Sequence, residues 1–190
     1  MQYIYPAVIH EDSDGLWAEF PDLPGCQTFA DTMDELLTNA AEALACELAA
    51  ERITDEEQER LERLLVTIGR AIEEHDMERI VRTDIEFHEL LYQAARNERL
   101  LGIIGNLREQ LTRFRTISMS YPGRLKATLE EHRAIVDAIG SGDARYARRV
   151  GAKHMENSEQ TLLYAIEEQE KKTGTTIIKR KHKKSEEDAK

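Results

Sequence analysis

The chain has 190 residues, 41% hydrophobic and 33% charged, which excludes a disordered polyelectrolyte and suits one folded domain of ordinary size plus a small one. No apolar run approaches the ~20 residues of a membrane helix, and the start MQYIYPAVIHEDSDG lacks the basic and apolar regions of a signal peptide, so a cytoplasmic location with no membrane contact is expected. The net charge of −11 is uneven: residues 1–50 hold ten Asp or Glu and no Lys or Arg, so the remainder sums to −1.

That acidic front end repels phosphate backbones and favours a basic partner, with a merely solubilising surface as the alternative. Residues 2–10 read as a strand of β-prone composition, placed at an edge because Pro6 lacks a donor. Asp14-Gly15 signals a hairpin turn, and Leu16–Phe20 a second strand with Leu16, Ala18 and Phe20 on one face. Pro21–Gly25 reads as a rigid loop and Cys26–Ala30 as a third short strand. Cys26 and Cys46, the two cysteines, read as reduced thiols.

Helices follow to about residue 172. Thr32 with Glu35 forms a capping box opening an Ala- and Leu-rich helix to about Glu51. Thr54 with Glu57 repeats it for a helix to about Glu74. Asp76 caps the next to about Arg96, and Asn97 another to about Ser118. Tyr121-Pro122-Gly123 breaks the chain before a helix to Ile139, and Asp143 caps the last. The short connections predict an antiparallel bundle of six to seven helices, so the fold class is mainly α with a small N-terminal β-sheet plus helix. The basic run Lys179–Lys184 reads as a solvated, disordered tail, with nucleic-acid contact as the alternative.

Chemistry concentrates on three of these helices. Ile80, Phe87, Leu91 and Ala94 form an apolar stripe that also contains Asp84 and His88, four residues apart and therefore one above the other. His132 interrupts the inner face made by Leu125, Leu129, Ile135, Val136 and Ile139, and His154 continues the line of Ala147, Val150 and Gly151. Ionisable groups turned into a core need partners. One shared divalent ion (Zn, Ni or Mn) held by Asp84, His88, His132 and His154 satisfies all four, and four separately hydrogen-bonded core residues are the alternative. An octahedral ion would keep positions open for a small carboxylate effector, with Arg113 or Arg115 as its bidentate partner unless both are surface residues. Glu86 and Glu131 fall off the inner stripe, which leaves no general base beside the ion, so an enzyme is not expected.

The string Asp84–His88, Ala94-Ala95-Arg96-Asn97, Glu131–Ile135, Ala138-Ile139, Gly142-Asp143 and His154 resembles the C-terminal effector (FCD) domain of GntR-family transcription regulators of the FadR subfamily, over about residues 40–170. The resemblance implies a helical bundle in which the four named residues hold an ion that helps bind an organic acid, usually in a homodimer. It also implies a preceding winged helix, but residues 1–31 show no helix-turn-helix pattern and no basic residue, so no direct DNA binding is evident. Tyr3–Val8, Gly15–Cys26 and Asp31-Thr32 resemble instead the HicB antitoxin-like domain, which implies a small sheet on one helix and a basic, RNA-cleaving toxin protein as partner. The family's last strand is missing at its usual place, and Thr175–Ile178 is the candidate to supply it. The expected division is residues 1–46 HicB-like, 47–172 FCD-like and 173–190 tail. Two functions are carried forward: metal-dependent sensing of an organic acid, and a HicB-type antitoxin in which the bundle is a dimerisation scaffold.

Overall fold

The computed structural model describes residues 8–12, 15–19, 27–30 and 33–173. Three strands, β1 (Val8–Asp12), β2 (Gly15–Glu19) and β3 (Gln27–Ala30), form an antiparallel sheet in sequential order. Asp12 pairs with Gly15 and Trp17 with Phe29, which sets the register. Gly15 therefore already belongs to β2, one residue before the predicted start. The prolines at 6, 21 and 24, the Thr32 cap, Cys26 and Thr175–Ile178 lie outside the described residues.

Six helices follow among the described residues: α1 (Met33–Arg52), α2 (Asp55–Glu73), α3 (Met77–Ala94), α4 (Glu98–Met119), α5 (Arg124–Gly140) and α6 (Ala144–Thr173). The bundle is thus at the lower end of the expected number. Each predicted cap after Arg52 is in place. Thr54 accepts from the Glu57 amide while Glu57 accepts from the Thr54 amide, and Asp76, Asn97 and Asp143 accept from the amides of Arg79, Leu100 and Tyr146. Gly123 and Gly142 take the left-handed conformation that the turns into α5 and α6 require.

Helix α1 is the axis of the bundle. Ala41, Ala43, Ala45, Cys46, Leu48 and Ala49 are all buried, so neighbours approach it from all sides. Such close approach is why the segment is Ala-rich. One face joins Leu61, Leu65, Ile68, Phe87, Leu91, Ile135, Ile139 and Ala147 in the main core. Another packs on Tyr92, Leu100, Ile104 and Leu111. Its start holds the sheet, where Leu36 meets Ala18 and Leu16. The expected boundary after residue 46 thus falls inside a continuous helix that serves the sheet at one end and the bundle along its length.

Helices α1 and α6 approach closely at Gly151. A Cβ built on Gly151 would stand 2.6 Å from the Cys46 sulfur and 3.1 Å from its Cβ. Cys46 is wholly buried, so the clash cannot be relieved into solvent. Gly151→Ala is expected to cost about 1–3 kcal/mol in urea unfolding, and Cys46→Ala in the same chain to recover part of it.

Candidate metal centre

The four predicted ligands converge on the middle of the bundle. His88 and His132 are 0% exposed, Asp84 2% and His154 4%. One ring nitrogen from each of the three histidines lies within 4.8 Å of the other two. Asp84 Oδ1 stands 4.0 Å from His88 Nε2 and 3.7 Å from His132 Nε2. Phe87 stacks on His132 at 4.3 Å between ring centroids, which walls one side of the cluster with hydrocarbon.

What surrounds these rings decides how they point. His88 Nδ1 is 2.7 Å from Glu42 Oε1, and His154 Nδ1 is 2.8 Å from Glu131 Oε2. A carboxylate accepts only, so each ring donates from Nδ1 and keeps the Nε2 lone pair free toward the centre. Further groups steady these carboxylates. Tyr92 donates its hydroxyl to Glu42, and Arg115 lies 2.6 Å from that hydroxyl and 3.4 Å from Glu42. Arg124 grips Glu131 bidentately at 2.6 Å and 2.6 Å and also reaches Ser158.

Burial raises the Glu42 carboxyl, but the charge and hydrogen bond of His88, with the charge of Arg115, outweigh this and hold it well below the usual carboxylate range. Burial acts likewise on Glu131, and the bonds from His154 and Arg124 bring it down to about 2. Burial lowers His88, and Arg115 adds to this against the opposing pull of Glu42. His132 is lowered further, by burial and by the neighbouring His154 and His88. Burial and the Glu42 charge push the Cys46 thiol up, so it stays protonated.

Arg115 comes to the cluster, but Arg113 is exposed on the outer side of α4 and does not. Glu86 is exposed as read from its stripe, whereas Glu131 requires a correction. It leaves the inner face of α5 only to meet α6, where His154 is. Glu42 and Tyr92 went unrecognised in the sequence. Tyr92 is four residues after His88 and prolongs the Asp84–His88 stripe. Glu42 is one of two charges, with Glu47, in the Ala-rich run of residues 40–50, where a carboxylate is a sign of a buried role.

Among the described residues, His88 Nε2, both nitrogens of His132 and Asp84 Oδ2 are buried without a hydrogen-bond partner. Orphaned buried groups of this kind are costly, and one lone pair from each of His88, His132 and Asp84 in the same cluster matches what a cation requires. Fold and site together define a helical bundle closed around a buried histidine–carboxylate cluster.

The FCD-domain family model matches residues 37–157, and the chain belongs to that family. FCD domains are the ligand-sensing regulatory domains of GntR-type transcription regulators. The HTH-type transcriptional regulator YdhC of Bacillus subtilis is 27% identical over 129 residues, which cover 67% of this chain and 57% of that protein. A 14.9 kDa protein from the rep-hol intergenic region of Haemophilus phage HP1 is 37% identical over 54 residues, 28% of this chain and 41% of the phage protein. Among solved structures, E. coli McbR/YncC superposes with a TM-score of 0.62 at 22% identity, covering 69% of this chain and 63% of that one. Streptococcus agalactiae GntR gives 0.53 at 23%, covering 68% and 60%. These two likenesses establish the fold. The chain spans less than two thirds of the length of each of these proteins.

The lowered imidazoles set a direction for pH. Folded His88 and His132 bind protons less readily than the unfolded chain, so their contribution is complete above the ordinary value of 6.5 and is lost as pH falls below it. Glu42 and Glu131 add a second loss, which begins below the ordinary 4.5 and proceeds toward the folded value of Glu131, about 2. In chelator-treated protein the melting temperature should fall in two stages from about pH 8 to about pH 3, and Glu131→Gln should flatten the acid stage.

Proposed function

We propose that the bundle senses an organic acid with the help of a divalent ion (Zn, Ni or Mn) held by Asp84, His88, His132 and His154. The observation that carries this reading is the cluster of unpaired lone pairs on His88, His132 and Asp84, with Nδ1 of His88 and His154 already committed to carboxylates. Such an ion supplies a Lewis-acidic centre that a ligand carboxylate can approach. The chain's own residues do the rest. Glu42 and Glu131 fix the tautomer and aim of two rings, and Arg115 is the cation best placed to meet an anionic ligand. Phe87 and the apolar core keep bulk water away.

We infer a regulatory role, not a catalytic one, with a homodimer as the working unit, as is common in this family. The N-terminal module supports a second element of the reading: it is HicB-like and receives a basic protein partner, with the toxin-neutralising antitoxin as the alternative function of the whole chain. Its support is the three-stranded meander that leads into α1, with Ala18 seated on Leu36 and an acidic excess over residues 1–50. Because α1 carries Leu36 under the sheet and Glu42 against His88, occupancy of the centre is coupled to the sheet through one helix.

His132→Ala is expected to abolish metal retention and lower the melting temperature, since ligands drawn from three helices make metal binding part of folding stability. Elemental analysis and thermal melting of both proteins check this, and unchanged metal content would refute the assignment. Titration calorimetry with simple organic acids, on metal-loaded and stripped protein, tests the sensing role. Dependence of binding on the metal is the expected result.

A further inference from the structure

Helix α3 is apolar on two sides. Its inner face carries Ile80, Phe87 and Leu91 into the core. On its outer side Met77, Val81 and Ile85 stand one helical turn apart and line an open groove of about 570 Å³ between α3 and α4. Met77 is 40% exposed, and Val81 and Ile85 are half-buried. A surface helix needs one apolar stripe, so the second stripe calls for a cover. The α4 wall of the groove is made by Thr116 and Ser120. Their hydroxyls donate to the Thr112 and Ile117 carbonyls of their own helix, so that wall too suits an apolar occupant.

The path of the chain points to the occupant. Seventeen residues follow the end of α6 at Thr173, and their only large apolar side chains are Ile177 and Ile178. Helix α6 packs on α4 and α4 on α3, so the thickness of α4 separates α6 from the groove. The last turn of α6 lies at the groove's end of α4. The Tyr121 hydroxyl is near enough to act electrostatically on Lys171, and Tyr121 directly follows Ser120. Packed helix axes are about 8–10 Å apart, which puts the groove about 12–15 Å from α6. Four or five extended residues span about 13–18 Å, the reach that brings Ile177 and Ile178 to it.

Charge agrees with this path. Glu78 and Glu86 border the apolar strip and are exposed, with Arg82 between them 4.0 Å from Glu78. The basic run Lys179–Lys184 comes directly after the two isoleucines. An apolar pair followed by positive charge thus meets an apolar strip bordered by carboxylates.

We propose that residues 174–184 cross the end of α4 and dock in the α3–α4 groove of their own chain, with Ile177 and Ile178 on Met77, Val81 and Ile85 and the basic run beside Glu78 and Glu86. The docked segment covers the outer face of the helix whose inner face carries Asp84 and His88. The chain's own terminus then braces that wall of the bundle, whatever the centre binds.

Cross-linking and hydrogen exchange of the full chain test this. With Cys26→Ala in the background, the pair Val81→Cys and Ile177→Cys should form a disulfide within one chain under mild oxidation, seen by peptide mapping. The pair Val66→Cys and Ile177→Cys, with its first site exposed on α2, should form little. In the unmodified background, truncation after Thr173 or the double change Ile177→Asp and Ile178→Asp should make amides of residues 77–86 exchange at least about threefold faster. Equal cross-linking to both sites overturns the proposal. So does a disulfide found only between chains, which would put a second copy in the groove. Exchange that is unchanged over residues 77–86, or that rises over the sheet strands instead, overturns it as well. The cross-linking pair decides the matter even if the aspartate variant fails to fold.

Discussion

Imidazoles and carboxylates enclosed together in hydrocarbon need each other's charge, hydrogen bonds and lone pairs to be tolerable, and this constraint organises the bundle. His88 and His132 are wholly enclosed, and the free energy of enclosing them depends on what their nitrogens meet. Two carboxylates, Glu42 and Glu131, take one nitrogen of His88 and of His154. Each carboxylate is in turn held by an arginine, Arg115 or Arg124. The polar interior is therefore a network with an outer shell that is satisfied and an inner set of acceptors that is not. A buried polar network that is only partly satisfied is costly, and an ion at its centre would lower that cost.

The same network explains the design of α1. A helix surrounded by others must be narrow, and its buried alanines allow Gly151 of α6 to approach as far as Cys46. The buried carboxylate on that surface is Glu42, which binds both His88 and Tyr92. Removing bulk elsewhere lets α1 sit at the axis, and the axis is the position from which a single side chain can reach the cluster. The helix also begins beneath the sheet, at Leu36, so the β module and the polar centre share a rigid element without a flexible linker.

A further ion pair, Arg148 with Glu47 at 2.6 Å, ties α6 to α1 near one end of their shared surface. Asn39 donates to Glu159 at the other end. The α1–α6 seam is thus polar at both ends and tightly apolar at Gly151, which sets its register and the depth at which His154 enters the centre.

Local physics made much of this legible from the residues alone. Capping residues at Thr54, Asp76, Asn97 and Asp143 opened their helices where side-chain oxygens could take the first free amides. The 3.6-residue period put Asp84 and His88 on the buried stripe of α3, and His132 and His154 on the inner faces of α5 and α6. What could not be read that way depends on distance in the chain. Glu42 is 46 residues from His88, and no periodicity within α1 says which helix its one buried charge will face. Glu131 lies off the stripe of its own helix and gains its role only because α6 packs beside it. Arg113 and Arg115 are equivalent in composition, and only the rotation of α4 turns one toward Tyr92 and the other to solvent. Sequence determined which helices form and which polar groups are enclosed, because both follow from neighbours within a turn or two. Tertiary packing alone decided which carboxylate meets which imidazole, because that choice depends on how separate helices are rotated and spaced against one another.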